Sequence, residues 1–353
     1  MSFNISAFSR LAAAALLIGA SYGTLQSQAV QIGLIGFYNV ENLFDTLDTP
    51  DVNDYEFTLN GPNAWGSARY YEKLDHMAQV IGEMGTQLTP DGPAIIGLAE
   101  IENRAVLEDF AAHPGVKRRN YQVAHFDSPD RRGVDVGLLY NPRYFKLTES
   151  KAVPLMIYDA QDGDRIYTRD VLVVGGYFMG DLLYVLVNHW PSRRGGEAAS
   201  QPLRNAGALL CKNICDTIRQ QHPEAKFVIM GDLNDDPISP SVLQVLNAKG
   251  KASQVEAGGF FNPMYEMFRR GLGTLAYRDS WNLFDQIIVS DLLLPESQPG
   301  IRFHQAHIFN PPYLYQQSGQ FKGYPFRTYV GSTYAGGYSD HFPVYISLVK
   351  PAK

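Results

Sequence analysis

Five short segments of this chain end hydrophobic runs with carboxylate, amide or imidazole side chains. They are Tyr38-Asn39-Val40-Glu41-Asn42, Leu98-Ala99-Glu100-Ile101-Glu102-Asn103, Val187-Asn188-His189-Trp190-Pro191, Gly231-Asp232-Leu233-Asn234-Asp235-Asp236-Pro237 and Tyr338-Ser339-Asp340-His341-Phe342-Pro343. Carboxylate and amide oxygens suit a hydrated divalent cation, a carboxylate or imidazole can move a proton, and imidazole can donate to a phosphoryl oxygen. One such strand end means little, but five in one chain point to strand termini meeting at a single metal-assisted phosphoryl-transfer centre.

Side chains alternate along a strand, so Asn39 and Glu41 share a face. Residues 94–99 read as a buried strand that delivers Glu100 at its carboxyl end, where open α/β sheets place ligands, with Glu102 on the same face. The run Phe227-Val228-Ile229-Met230 leads to Asp232 and Asn234 at alternate positions: a carboxylate to take a proton from water and an amide to orient phosphate or nucleophile. Asp235 and Asp236, before Pro237, read as turn residues. His189 precedes Arg193, Arg194 and two glycines, which suits a phosphate-contacting loop; Arg204 beyond it suits an assisting or a plain surface role equally. Asp340 and His341 follow Gly336-Gly337, whose freedom permits the bend that two adjacent residues need to act together. Asp285 opens a further strand and is a candidate to orient His341. Of four Arg-Arg pairs, 118–119, 131–132, 193–194 and 269–270, only Arg193 and Arg194 are expected to touch substrate.

The elements that must position these residues are legible in outline. Strand-like runs cover 32–40, 94–99, 121–126, 134–140, 171–178, 182–188, 226–231, 285–289, 303–309 and 343–349. Tyr71, Leu74, Ala78, Ile81 and Met84 recur at helical spacing, as do Leu203, Ala206, Leu210, Ile214 and Ile218, the second helix starting near Ser200 and Pro202; a third is expected near 242–246. About ten strands and few helices, with no linker or repeat, predict two packed sheets with helices outside in one domain. The acidic stretch 45–65 reads as a solvated loop, and 252–281 as an irregular wall beside the substrate.

Composition is that of a globular protein: 353 residues, 45% hydrophobic and 19% charged. A net charge of −6 argues against tight static binding of nucleic acid, though not against an enzyme acting on it. Arg10, an apolar run over 11–20 and small residues to Ala29 resemble a secretory leader, so residues 1–29 are expected to be cleaved and the product secreted or periplasmic, with 30–350 as the single domain. That run falls well short of the ~20 residues of a membrane span, so no stable membrane insertion is expected. Cys211 and Cys215, four apart on a helix, are expected to be core rather than a disulfide.

Taken together, Gly-Asp-x-Asn at 231–234 and Ser-Asp-His at 339–341, with Asn39 and Glu100 before them, resemble the endonuclease/exonuclease/phosphatase family from Asn39 to Val344, nearly the whole of 30–350. The resemblance implies an α/β fold, a four-layer sandwich of two mainly antiparallel or mixed sheets flanked by helices, and phosphoester hydrolysis with Mg²⁺ or Mn²⁺. It implies Asn39, Glu100 and Asp340 at the metal, His189 and His341 as catalytic histidines, Asp285 as partner of His341, and Asp232 with Asn234 at the nucleophile and scissile phosphate. Asp135 is a weaker candidate partner for His189. Ala99 stands where the family often has glutamine, and Glu41 where some members bind a weak second divalent cation. The implied activity is a secreted endonuclease or phosphodiesterase acting on DNA or RNA, with no obligate protein partner. The alternatives are a hydrolase of inositol, sugar or lipid phosphates, and a non-catalytic binding module on the same scaffold.

Overall fold

The computed structural model describes residues 30–159, 161–294 and 300–351; the expected leader lies outside them. In chain order the strands of the two main sheets are β1 (Val30–Leu43), β2 (Pro93–Ile101), β3 (Gln122–His125), β4 (Asp135–Tyr140), β5 (Phe145–Val153), β6 (Val171–Phe178), β7 (Asp181–His189), β8 (Lys226–Asp232), β9 (Ala248–Lys249), β10 (Phe260–Phe261), β11 (Asp285–Ser290), β12 (Arg302–Ile308) and β13 (Val344–Pro351). The helices are α1 (Ser67–Glu83), α2 (Arg104–Ala112), α3 (Glu197–Gln221) and the short α4 (Met264–Arg269). The first sheet runs β12-β13-β1-β2-β4-β3 and the second β9-β10-β11-β8-β7-β6-β5. Both are mixed: β1 pairs parallel to β2 and antiparallel to β13, while β8 pairs parallel to β7 and antiparallel to β11.

Strand alternation sorts the apolar residues into three layers of core. Ile35 and Phe37 of β1, Val185 and Val187 of β7, Val228 and Met230 of β8, and Ile287 and Val289 of β11 pack between the sheets. Leu34, Tyr38 and Val40 face the other way, onto Leu74, Met77 and Ile81 of α1. Leu186, Phe227 and Ile229 face Ala208, Cys211, Ile214 and Cys215 of α3. Each fully buried side chain of this kind contributes about 1.5–3 kcal/mol, so the layers can hold polar groups at their ends. The expected four-layer architecture is therefore present, and both cysteines are free and buried in the core.

Differences from the expected elements have local causes. β5 was not legible because most of its residues are partly or fully exposed, which blurs alternation. α2 is only nine residues long; its sequence signal is Asn103, whose side chain accepts from Val106 N. α3 begins at Glu197, ahead of the expected Ser200, and carries Pro202 inside it. The third expected helix is a single wide turn, Ser241–Val245, and 252–281 holds β10 and α4 rather than irregular chain alone. The 45–65 loop is tied down: Glu102 accepts from Asp45 N (2.6 Å) and Thr49 Oγ1 (3.1 Å), making it an anchor.

Candidate active site

Three strands of the second sheet end on one rung. Asp232 of β8 lies opposite Asp285 of β11 and beside His189 of β7. The parity that sends Val187, Met230 and Ile287 between the sheets sends these three side chains to the end of the same space. Gly231 makes the rung possible, since a Cβ there would meet the Asn188 carbonyl oxygen at 2.2 Å. Asp232 Oδ1 accepts from Asn234 N (2.9 Å), which holds Asn234 in a left-handed conformation with φ 50°. The Asn234 amide donates to Trp190 O at 2.9 Å.

The first sheet closes the cluster. Asn39 has the parity of Ile35 and Phe37, and its Nδ2 donates to Asp232 Oδ2 (3.0 Å) and Glu100 Oε1 (3.2 Å). Glu100 is aimed by a bulge: the β2–β4 register shifts between Ala99 and Ile101, and Glu100 takes φ 62°. A non-glycine residue in that region is strained, and such strain gathers where a side chain must be re-aimed. At the entrance to β13, Ser339 Oγ donates to Asn39 O and accepts from His341 N, which fixes the bend carrying Asp340 and His341. His341 Nδ1 meets Asp285 Oδ2 at 2.6 Å, while its Nε2 lies 3.9 Å from both Asp232 and Asp340. His189 Nε2 approaches Asp232 (3.6 Å) and Glu100 (3.8 Å) from the other side.

The two histidines are driven in opposite directions. Burial opposes charge on His341, but the Asp285 carboxylate, with Asp340 and Asp232 beyond it, holds its pKa well above the ordinary histidine range. Burial, then Arg169 and Arg132, pushes His189 well below it. Burial raises Asp232 to about 6 against the pull of His341. The environments therefore push the two imidazoles in opposite directions on either side of a carboxylate whose own pKa burial raises.

The donor set suits an oxygen-seeking divalent cation. Glu100 is partly exposed and pairs with no lysine or arginine among the described residues, and Asp340 keeps Oδ1 clear of Arg327, which binds Oδ2 at 2.8 Å. Asn39 plays another part in this arrangement. Its amide oxygen accepts from Glu41 N (3.0 Å) and its nitrogen faces carboxylates, so it braces Glu100 against Asp232. Glu41 has its oxygens engaged by Arg327 Nε (3.2 Å) and Thr328 N (2.6 Å), and burial followed by Asp340 pushes its pKa up to about 7; it is not set up for a second cation. A separate group, His125, Asp127 and Asp135, has ligand atoms within 4.8 Å of one another and could hold a metal ion.

The sequence profile of the Endonuclease/Exonuclease/phosphatase family matches residues 34–350. The chain belongs to this family. Its members are phosphoester hydrolases, typically dependent on a divalent metal. Comparison with curated proteins gave no match. Among solved structures, an endonuclease/exonuclease/phosphatase family protein from Bacteroides thetaiotaomicron is similar at 16% identity and TM-score 0.53, covering 92% of this chain and 97% of that one. The human Nocturnin catalytic domain with bound sulfate anion is similar at 14% identity and TM-score 0.53, covering 91% and 97%. D. rerio TDP2 complexed with single strand DNA product is similar at 15% identity and TM-score 0.50, covering 90% and 98%.

Within this family member the arginine loop departs from expectation. Arg193 is spent on Asn234 O (3.0 Å), Asp236 (3.1 Å), Glu197 (3.1 Å) and the face of Phe284, so it braces the Asn234 turn instead of standing free for substrate. Arg194 is exposed. Arg204 is not a surface residue: it is fully buried, 2.7 Å from the equally buried Asp235, in a contact too bent for a hydrogen bond but close as an ion pair. Asp235 also accepts from Ser241 and Gln201, and Asp236 from Leu283 N, so these turn acids knit the loop to its neighbours. Asp135 pairs with His125 at 3.2 Å rather than with His189.

Three cations were missed. Arg169 donates to His189 O (3.1 Å) and Trp190 O (2.8 Å) and pairs with Asp130. Arg327 links Glu41 to Asp340. Lys73, buried in α1, donates to Thr328 Oγ1 (2.6 Å) and Tyr338 O (2.7 Å), and burial lowers its pKa to about 8. The signal for Lys73 was available, since it falls on the helical stripe of Met77, Val80 and Met84. Among the aromatics near the centre, Tyr334 lies under Arg69 and against Tyr329, and Phe326 lies against Tyr338, so these line a loop core.

Proposed function

We propose that this chain is a divalent-cation-dependent phosphodiesterase acting on nucleic acid, most simply an endonuclease, exported by the leader at residues 1–29. The observation that carries the reaction class is the meeting of Asn39, Glu100, His189, Asp232 and His341 from two sheets around one point, with contacts of 3.0–3.9 Å through Asp232. Support for the substrate comes from the fold it shares with a TDP2 bound to a single strand DNA product. The export reading rests on the sequence of the leader; among the described residues no helix is long and apolar enough to cross a membrane.

In this reading Asp232, or the neutral imidazole of His189, accepts the proton of the attacking water. The charged His341, oriented by Asp285, donates to a phosphoryl oxygen and stabilises the charge that grows there. Asn234 positions the phosphate from its tethered turn. A divalent cation held by Glu100 and Asp340, Mg²⁺ or Mn²⁺ by the chemistry of the donors, would add neutralisation of the same oxyanion charge.

The test is a substrate panel with Mg²⁺, Mn²⁺ or EDTA: plasmid DNA, RNA, bis-p-nitrophenyl phosphate, p-nitrophenyl phosphate, inositol phosphates and sphingomyelin. Rapid plasmid nicking that EDTA abolishes is the expected result. Turnover of monoester or lipid without nicking overturns the nucleic-acid assignment, and no hydrolysis of any member returns the chain to a binding role.

A further inference from the structure

A cleft of about 470 Å³ opens beside the reaction centre, with Glu41, Asn42, Glu56, Arg132, Arg327 and Tyr329 among its lining residues. Two of its lining residues are bonded to residues of the centre. Glu41 N donates to Asn39, and Arg327 donates to Asp340 at the same time as to Glu41. The charges in it are unequally committed. Glu41 is matched by Arg327 and by Thr328 N, and Glu56 is exposed to solvent.

Arg132 stands apart from these. Its backbone N and its Nε bind Asp130 (2.9 and 3.3 Å), yet Asp130 is already paired with the buried Arg169 at 2.8 Å. The Arg132 side chain is 53% exposed, and its two terminal amino groups meet no acceptor among the described residues. Its charge is nevertheless felt at His189, after burial and Arg169. A planar guanidinium with both amino groups available, in a cleft that adjoins a phosphoester-cleaving centre, matches the fork of two phosphate oxygens. In the reading proposed above the scissile phosphate would lie between Asp232, Glu100 and the histidines, none of which lines this cleft, so an anion in the cleft would be a different group.

We propose that this cleft is a subsite for a second phosphate carried by the substrate, gripped by Arg132 with Arg327 beside it. The inference rests on the phosphoester reading above and narrows it, from any phosphoester to substrates bearing two phosphates close together. A nucleotide chain and a polyphosphorylated polyol both offer that chemistry.

Two measurements test it, one of them independent of turnover. In EDTA, calorimetric titration of the purified chain compares a nucleoside 3′,5′-bisphosphate with the 5′-monophosphate, and inositol 1,4-bisphosphate with inositol 1-phosphate. Tighter binding of a bisphosphate by about tenfold or more, lost in Arg132→Ala and partly restored in Arg132→Lys, is expected from a charge-assisted contact. The pair showing the gain names the source of the second phosphate; equal binding within both pairs, or a gain that survives Arg132→Ala, overturns the subsite. In turnover, the ratio of kcat/KM for a short oligonucleotide to that for bis-p-nitrophenyl phosphate is expected to fall about tenfold in Arg132→Ala. An unchanged ratio overturns the subsite while leaving the hydrolase reading standing; an inactive wild type that still prefers the bisphosphate does the reverse.

Discussion

The two sheets contribute unlike halves to one centre. On the second sheet His189, Asp232 and Asp285 share a rung, all buried, and are held by Asn234, Arg169 and His341. On the first, Glu100 sits on a strained bulge, and the Glu100 and Asp340 side chains keep 18% and 33% of their exposure. In the buried, cross-tied half the pKa of His189 is pushed down and that of Asp232 up, the kind of displacement proton transfer uses; a half-open one can exchange a cation and admit substrate. The division of labour follows from burial more than from residue type, since both halves are rich in carboxylates.

The largest expected effect strikes the buried half. Asp232→Ala and His341→Ala should each lower kcat by about 10²–10⁴-fold, the range for loss of a positioned acid or base, with circular dichroism unchanged. A folded variant with near wild-type turnover would break the comparison at its centre. Next is the brace behind that half. Arg204→Ala removes the nearer of the two arginines paired with the buried Asp235, leaving Arg193 at 3.4 Å with Ser241 and Gln201, and should cost about 1–3 kcal/mol in urea unfolding. An undiminished midpoint would show that this half does not depend on the buried pair for its rigidity.

Smaller again is a shift in pH dependence that separates the two histidines. Asp285 raises the pKa of His341, so in Asp285→Asn that pKa falls, with Asp340 and Asp232 still opposing burial; the alkaline limb of kcat/KM should move to lower pH. The same pair stabilises the fold with a defined sign. Because the folded pKa is raised, its contribution is complete below the unfolded value of about 6.5 and is lost as pH rises through the folded one, so the stability gap between wild type and Asp285→Asn should narrow at high pH. An alkaline limb that stays in place would assign it to another group.

Legibility was uneven for physical reasons. Asp232, Asn234, Glu100 and Asp340-His341 stood out because buried strands write their ends plainly: an apolar run stops and a polar residue follows. The arginines did not. Arg193 and Arg194 were preferred over Arg131 and Arg132 on the strength of a neighbouring histidine, yet Arg193 is consumed by Asp236 and Glu197 whereas Arg132 keeps its amino groups open. A guanidinium's role depends on which carboxylates reach it, and those come from distant parts of the chain. Asp135 failed as a partner for His189 for the same reason, being claimed by His125 across a strand pair.

From sequence alone came the layered α/β architecture, ten of its strands and the family of the reaction centre, because alternation and strand-end chemistry are local properties of the chain. Only the tertiary structure decided that Asp285, Asp232 and His189 stand on one rung, that Asn39 braces two carboxylates, that the two histidines are pushed in opposite directions, and that Arg132 rather than Arg193 faces an open cleft. Register, burial and the pairing of charges are set by residues far apart in sequence, and they turn a list of polar side chains into one cluster with a buried and a half-open side.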